Sequence, residues 1–298
     1  MLRPRLRIPR AGALLRRTTV VRPLHSVPQL DQFKDDKSVP GLLSPAGYST
    51  AWTGYMNHVT DRLNRLTAGT EFEQEDTLPI LKSAARDPAQ AATFNFASMA
   101  HNNHFFFKNL VNLQTLYEQT AQSNGESQVI DVEGSEARIP PRLKKELERN
   151  FSSIETLKRE IFATAKAMFG PGFVWLVRNA QSQELRILNT YLAGSPYTAA
   201  HWRRQNVDWN TMSASRSTAS SFFARTAAGA GNTTGQFTQQ APGGVDAIPI
   251  LCLNTWEHVW LTDFGIEGKA DFVAAWWDVI DWDKVEKLAI PDRRDGFK

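Results

Sequence analysis

The sequence contains a single cysteine among its 298 residues, Cys252. No disulfide can therefore form within the chain, which agrees with a reducing compartment. Cys252 lies in an apolar, strand-like run, and we expect it to behave as a small buried hydrophobe. The sequence also lacks any apolar run of about 18 residues, the length that crosses a bilayer. We therefore predict no membrane span.

Acidic residues are absent before Asp31. The same stretch carries seven arginines that alternate with apolar residues: Arg3, Arg5, Arg7, Arg10, Arg16, Arg17 and Arg22. An arginine-rich, acid-free start is typical of a mitochondrial presequence. We predict a presequence over residues 1–25, cleaved near His25, and a mature protein in the mitochondrial matrix. The alternative is a basic arm that binds nucleic acid.

The positive net charge belongs to this first segment. Removing its seven arginines from a net charge of +3 leaves −4. A weakly acidic body is a poor candidate for extensive phosphate binding, so we expect only limited contact with RNA. The basic run 142–145 is followed by Glu146 and Glu148, and this pattern is interpreted as a solvated helix face.

Apolar spacing predicts a mostly helical chain. Helical patterns rich in aromatic residues cover 42–66 and 91–116, which favours a long helical hairpin in an N-terminal domain over 40–120. Residues 121–139 are polar and predict a linker. Helical spacing returns over 140–168.

Strand patterns follow a glycine-rich break at 170–172. They cover 173–177, 184–192 and 247–253, and a further helix carries Phe272 and Trp276. The predicted fold class is α+β: an N-terminal long α-hairpin, then a C-terminal domain over 140–290 with a small three-stranded antiparallel sheet flanked by helices.

A low-complexity insertion interrupts this C-terminal domain at about 194–244. Residues 213–244 are rich in Ser, Thr, Ala, Gly and Gln, a composition that cannot bury enough apolar surface to order by itself. We predict that the insertion is either a mobile loop or an extension that orders against a partner. Its candidate anchors at a partner interface are aromatic: Trp202, Trp209, Phe222 and Phe223.

Two motifs carry histidines at informative positions. One is the run from Asn254 to His258, Asn-Thr-Trp-Glu-His, and the other runs from Phe96 to His104 and ends in Asn-His. Both resemble metal-binding motifs of the iron/manganese superoxide dismutases. The resemblance matches His104 and His258 to metal-ligand positions. Where the family has a carboxylate, Asn254 has an uncharged amide, a poor donor for these metals.

The resemblance also shows what is missing. Counting back from Tyr55, the remaining histidine ligand of the family falls on Gly47 and its gating histidine on Ala51. The family supplies the glutamine that holds the metal-bound water from one of two places. One of them is Ala100 here, and residues 188–192 offer no glutamine at the other. With His104 and His258 retained but Gly47 and Asn254 lost, we predict no bound metal, no other cofactor, no catalytic residue and no enzymatic activity.

The presequence, the lost ligands and the insertion together resemble the catalytically inactive members of this family in the small subunit of fungal mitochondrial ribosomes. The resemblance implies a structural protein among other small-subunit proteins, paired as a heterodimer with a second dismutase-like subunit. Glu257 matches the glutamate that crosses the dimer interface in dismutases. The alternatives are a matrix superoxide dismutase with an altered, weakly active metal site, and a matrix module that senses oxidants or regulates translation.

Overall fold

The computed structural model describes residues 25–85, 87–114, 135–200 and 246–290. Nearly all of the predicted presequence, most of the 121–139 linker and most of the 194–244 insertion lie outside these ranges. So do the predicted anchors Trp202, Trp209, Phe222 and Phe223.

The N-terminal half is helical. Its elements are α1 (Pro45–Tyr48), a π-helical turn (Ser49–Gly54), α2 (Tyr55–Thr67), α3 (Thr77–Ala84) and α4 (Ala91–Lys108). Ser44 caps α1 because its Oγ accepts a hydrogen bond from the N–H of Gly47, and Pro45 takes the first helical position. Both α2 and α3 pack against α4.

The chain from His25 to α1 is anchored on α2. The His25 N–H donates to Asn64 Oδ1 at 2.9 Å, and Asn64 Nδ2 donates back to the His25 carbonyl at 2.8 Å. Further along, Leu30 and Phe33 are buried in the core. These contacts hold the segment before α1 against α2 and the core.

Helix α4 ends at Lys108, earlier than the predicted end at residue 116. The chain leaves the helix because Leu110 forms a β-bridge with Ile280, and the Val111 N–H donates to the Val279 carbonyl at 2.9 Å. Pairing with a distant segment thus outweighs the local helical pattern. Helix α3 was not predicted at all.

The helix predicted over 140–168 is two helices, α5 (Pro141–Phe151) and α6 (Ile154–Ala167). Ser152 breaks the helix by adopting a left-handed conformation with φ +68°. Ser153 then caps α6, since its Oγ accepts from the Thr156 N–H at 3.1 Å.

The sheet has the order β2-β1-β3 and is antiparallel throughout. Its strands are β1 (Gly172–Asn179), β2 (Leu185–Tyr191) and β3 (Ala247–Asn254). After the sheet come α7 (Glu257–Phe264), α8 (Lys269–Asp278) and α9 (Trp282–Ala289). This arrangement confirms the predicted α+β fold with a three-stranded antiparallel sheet among helices.

One continuous core joins the helical half to the sheet. Trp175 of β1 and the pair Trp276 and Trp277 of α8 are among its largest fully buried side chains. Cys252 in β3 lies opposite Trp175 and is buried, as expected. A smaller cluster lies under α3. In the described parts of the chain, no helix combines the length and apolar character that a membrane span requires.

Candidate functional site

Asn254 is the last residue of β3 and is fully buried. Its Oδ1 accepts a hydrogen bond from the backbone N–H of Trp256 at 3.0 Å, within the turn that leads into α7. Its Nδ2 donates to Oδ1 of Asn103 at 3.0 Å. Both polar atoms of the side chain are therefore used inside the protein.

Asn103 carries the chain of hydrogen bonds onward. It lies on α4, is also fully buried, and donates from Nδ2 to the carbonyl of Ala51 at 3.1 Å. Three side-chain hydrogen bonds thus connect the start of α7, the end of β3, α4 and the π-helical turn. We call this series from Trp256 through Asn254 and Asn103 to Ala51 the amide chain.

The ends of the amide chain fix the orientation of both side-chain amides. A backbone N–H can only donate, so it faces Asn254 Oδ1, and a backbone carbonyl can only accept, so it faces Asn103 Nδ2. A carboxylate at position 254 has no N–H to offer to Asn103. The hydrogen bond that Asn254 donates to Asn103 therefore explains why position 254 has an amide and not a carboxylate.

The other missing ligand position, Gly47, has no room for a side chain. The carboxylate of Asp263, from α7, occupies the space where a Cβ on residue 47 would lie. Asp263 is held there by Ser44, which donates from its backbone N–H at 3.0 Å and from Oγ at 2.5 Å. A histidine at position 47 would have to displace this carboxylate.

His258 is packed rather than hydrogen bonded. Its ring stacks on Tyr55 with centroids 4.0 Å apart and lies 5.6 Å from the ring of Trp256. Its buried Nε2 has no hydrogen-bond partner within the described residues. Burial lowers the pKa of His258 to about 4, so the ring is neutral at physiological pH.

His104 lies on α4 beside Trp52, with ring centroids 6.0 Å apart. It lines a cavity of about 550 Å³, together with residues that include His25, Met56, Asp76, His101 and Lys108. Burial, with a smaller contribution from Lys108, lowers the pKa of His104. The lost glutamine position, Ala100, lines the same cavity.

His101 does not offer a substitute ligand. Its Nε2 is 2.9 Å from the Tyr197 hydroxyl, and its Nδ1 is 3.4 Å from Oγ1 of Thr77. Burial, then the nearby charges of His104, Lys82 and Lys108, lower its pKa to about 4. These contacts give His101 a packing role between α4, the start of α3 and the described first residues of the insertion.

The residues at this site do not fit an iron or manganese ion. Such ions are held by imidazoles together with an anionic oxygen, but Asn254 is uncharged and both of its polar atoms are occupied. Gly47 supplies no donor, and Asp263 is bound to Ser44. Throughout the described ranges, no three His, Cys, Asp or Glu side chains form a group that could hold a metal.

Comparison with known proteins identifies the family of this chain. Residues 140–208 and 218–288 match the model for the C-terminal domain of iron/manganese superoxide dismutases. The small ribosomal subunit protein mS43 of Schizosaccharomyces pombe is 30% identical over 263 residues, which are 88% of this chain and 83% of that protein. The chain belongs to the iron/manganese superoxide dismutase family.

Two further relatives are a ribosomal protein and an enzyme. The small ribosomal subunit protein mS42 of Schizosaccharomyces pombe is 24% identical over 203 residues, 68% of this chain and 69% of that protein. An iron superoxide dismutase of Campylobacter jejuni is 23% identical over 253 residues, 85% of each chain. The family therefore includes both enzymes and ribosomal proteins at comparable coverage of this chain.

The sequence analysis missed two residues of the site in this protein, Asn103 and Asp263. Asn103 directly precedes His104, so its place beside a ligand position was a usable signal. Nothing in the sequence indicated that Asp263 would contact Ser44, which is 219 positions away. The predicted interface residue Glu257 is exposed at the first position of α7.

Proposed function

We propose that this protein is a structural component of the small subunit of the mitochondrial ribosome and takes part in mitochondrial translation without catalysing a reaction. The similarity to mS43 over 88% of the chain carries this proposal. Both ribosomal relatives are named as small-subunit proteins, and the prefix m marks the mitochondrial ribosome. The arginine-rich first 25 residues support the same location.

The residues at the site support the absence of enzymatic activity. Dismutation requires a redox metal, and the amide chain uses the side chain at the carboxylate position for internal hydrogen bonds. Removal of outer partners alone weakens metal binding or activity by about 10–100-fold. The lack of two direct ligands, at the positions held by Gly47 and Asn254, is expected to have a larger effect. These residues argue against the alternative function, a matrix superoxide dismutase with an altered metal site.

The proposed partner is a second dismutase-like subunit, and one end of the sheet supports this pairing. Four large apolar side chains are exposed there: Phe169, Tyr191, Leu192 and Ile266. We call them the sheet-end patch. Phe169 is 98% exposed and Ile266 is 86% exposed. Exposed apolar clusters of this kind mark surfaces that bind other proteins.

Hydrogen bonds bring together the chain segments that carry the sheet-end patch. The Leu192 N–H donates to the Pro171 carbonyl at 3.0 Å, next to the turn that carries Phe169. Lys269, close to Ile266 in the sequence, donates to the Met168 carbonyl at 2.9 Å. Trp256 Nε1 donates to the Leu192 carbonyl at 3.4 Å, which brings the patch next to Glu257.

One residue of the sheet-end patch, Leu192, has an unfavourable backbone conformation. Its backbone is left-handed, with φ +52°, a conformation that is unfavourable for a leucine. The conformation leaves its side chain 59% exposed. The exposed side chain of Leu192 contributes little to the isolated fold, but a partner surface would bury it.

Sedimentation of mitochondrial extracts through a density gradient tests the proposed function. We expect the protein to migrate with the small ribosomal subunit. A protein that stays at the top of the gradient, with the free matrix proteins, would overturn the proposal. A double variant, Phe169→Glu with Leu192→Asp, is expected to lose at least about tenfold of this association, because two charges would be buried against the partner.

The matched control is Leu66→Asp, which places a charge at an exposed apolar position on α2, away from the sheet-end patch. The control should migrate like the wild type. Aspartate tolerates the left-handed conformation better than leucine, so the change at position 192 should not unfold the protein. Equal migration of the double variant and the wild type would argue against pairing through this patch.

A further inference from the structure

His25 is the first residue that the structure describes, and it is already part of the fold. The residue is only 9% exposed. Its backbone N–H donates to Asn64 Oδ1 at 2.9 Å, and its carbonyl accepts from Asn64 Nδ2 at 2.8 Å. One side-chain amide of α2 thus satisfies both backbone polar groups of His25, as a neighbouring strand would. We call this pair of hydrogen bonds the amino-terminal anchor.

The imidazole ring of His25 is held by the same helix. Its Nε2 is 3.1 Å from Oγ1 of Thr67, which is 1% exposed. The Thr67 hydroxyl donates its one hydrogen to the Leu63 carbonyl at 2.9 Å, so it accepts from His25 Nε2. Burial lowers the pKa of His25, while the Asp76 carboxylate and a hydrogen bond to the Phe72 backbone oppose this effect. The ring is therefore packed between α2 and the segment before α3.

His25 also belongs to the wall of a cavity. Together with Ser26 and Pro28, it lines the cavity of about 550 Å³ that His104 also lines. Without His25, the Asn64 amide and the Thr67 hydroxyl would lose these partners, and polar groups that lose their partners inside a protein reduce its stability. A chain that starts at Ser26 would thus lack a part of its own fold.

The sequence sets a limit on the other side of His25. Arg22 is the last of the seven arginines in the predicted presequence, and the next arginine is Arg62. The arginine-rich composition that is typical of a presequence therefore ends at Arg22. Only the peptide bonds between Arg22 and His25 lie after this composition and before the amino-terminal anchor.

We propose that mitochondrial processing cuts one of the three peptide bonds between Arg22 and His25, and that the mature chain keeps His25 as its anchor on α2. A matrix peptidase would hydrolyse this bond. Water supplies the oxygen of the carboxylate that ends the released presequence, and the hydrogen that completes the new amino group of the mature chain. This boundary replaces the predicted presequence of residues 1–25, whose removal would take His25 away. The inference rests on the mitochondrial location and not on the ribosomal role.

The amino terminus of the protein purified from mitochondria tests this boundary. A carboxyl-terminal affinity tag allows its isolation, and mass spectrometry of the first peptide identifies the first residue. We expect Pro23, Leu24 or His25. A chain that begins at Ser26 or later, or one that still contains Arg22, would overturn the inference. The result is independent of sedimentation: a chain with the expected terminus that stays at the top of the gradient would refute only the ribosomal function.

A matched pair of variants in the full-length chain tests the amino-terminal anchor itself. Asn64→Ala removes both of its hydrogen bonds, whereas Asn57→Ala makes the same change at an exposed position of the same helix. Both variants gain the same helix propensity, so the difference between them reports the anchor. We expect Asn64→Ala to melt at least about 3 °C below Asn57→Ala. Equal melting temperatures would contradict the anchor and with it the structural reason for keeping His25.

Discussion

Asn254→Asp should lower the free energy of unfolding by about 2–4 kcal/mol at pH 8, one of the two largest effects that we expect. The new carboxylate would be fully buried, because position 254 has no solvent exposure. It could still accept from the Trp256 N–H, but it would face Asn103 Oδ1 without a hydrogen to donate. The amide chain would be broken at its centre, with a negative charge left there.

The size of this effect should depend on pH. Burial raises the pKa of a carboxyl group, so the folded variant would hold its proton more tightly than the unfolded variant. The variant is then relatively most stable at low pH, and the loss grows as pH rises above about 4, the ordinary pKa of aspartate. Urea unfolding of variant and wild type at pH 5 and pH 8 measures the difference.

The free energy of unfolding of the wild type also depends on pH, and this dependence is subtracted from that of the variant. The pKa of His101 and of His258 is lowered to about 4 in the folded protein. The unfolded state therefore binds more protons between about pH 4 and 6.5, and the wild type itself loses stability as pH falls through this range. Asn189→Asp, the same change at an exposed residue of β2, should cost little. Equal costs at positions 254 and 189 would contradict the amide chain.

Gly47→His should lower the free energy of unfolding by about 1–3 kcal/mol, the usual cost of forcing extra atoms into a packed site. The Cβ of the new residue would enter the space of the Asp263 carboxylate and disturb its hydrogen bonds to Ser44. Restoring the family's histidine is thus predicted to harm this protein. Thermal or urea unfolding measures the change.

A double-mutant cycle with Asp263→Ala separates this contact from other effects. Removing the carboxylate makes room, so Gly47→His should cost less in the Asp263→Ala background by at least about 0.5–1 kcal/mol. An identical cost in both backgrounds would mean that Asp263 does not exclude a side chain at position 47.

The motifs were enough to predict the family and the fold. The run that ends in His258 and the one that ends in His104 predicted the family, and β1 to β3 were placed to within a few residues. The strands were accessible because apolar alternation is a local pattern. Gly47 was assigned through the resemblance, by the family's offset from Tyr55.

The remaining features depend on contacts between distant parts of the chain. Asn254 bonds to a residue 151 positions away, and Ser44 to one 219 positions away. The end of α4 at Lys108 likewise follows from pairing of Leu110 with Ile280. Local patterns carry no information about such contacts, so the sequence predicted that two ligands were lost but not what had replaced them.

The central claim is that the family's metal site has been replaced by hydrogen bonds and packing. The most direct test is elemental analysis of the full-length protein, produced with iron and manganese in excess and dialysed beside an iron superoxide dismutase as control. We predict less than about 0.1 equivalent of either metal in this protein, because two of the required donors are absent. One equivalent of iron or manganese, retained through dialysis as in the control, would contradict the account.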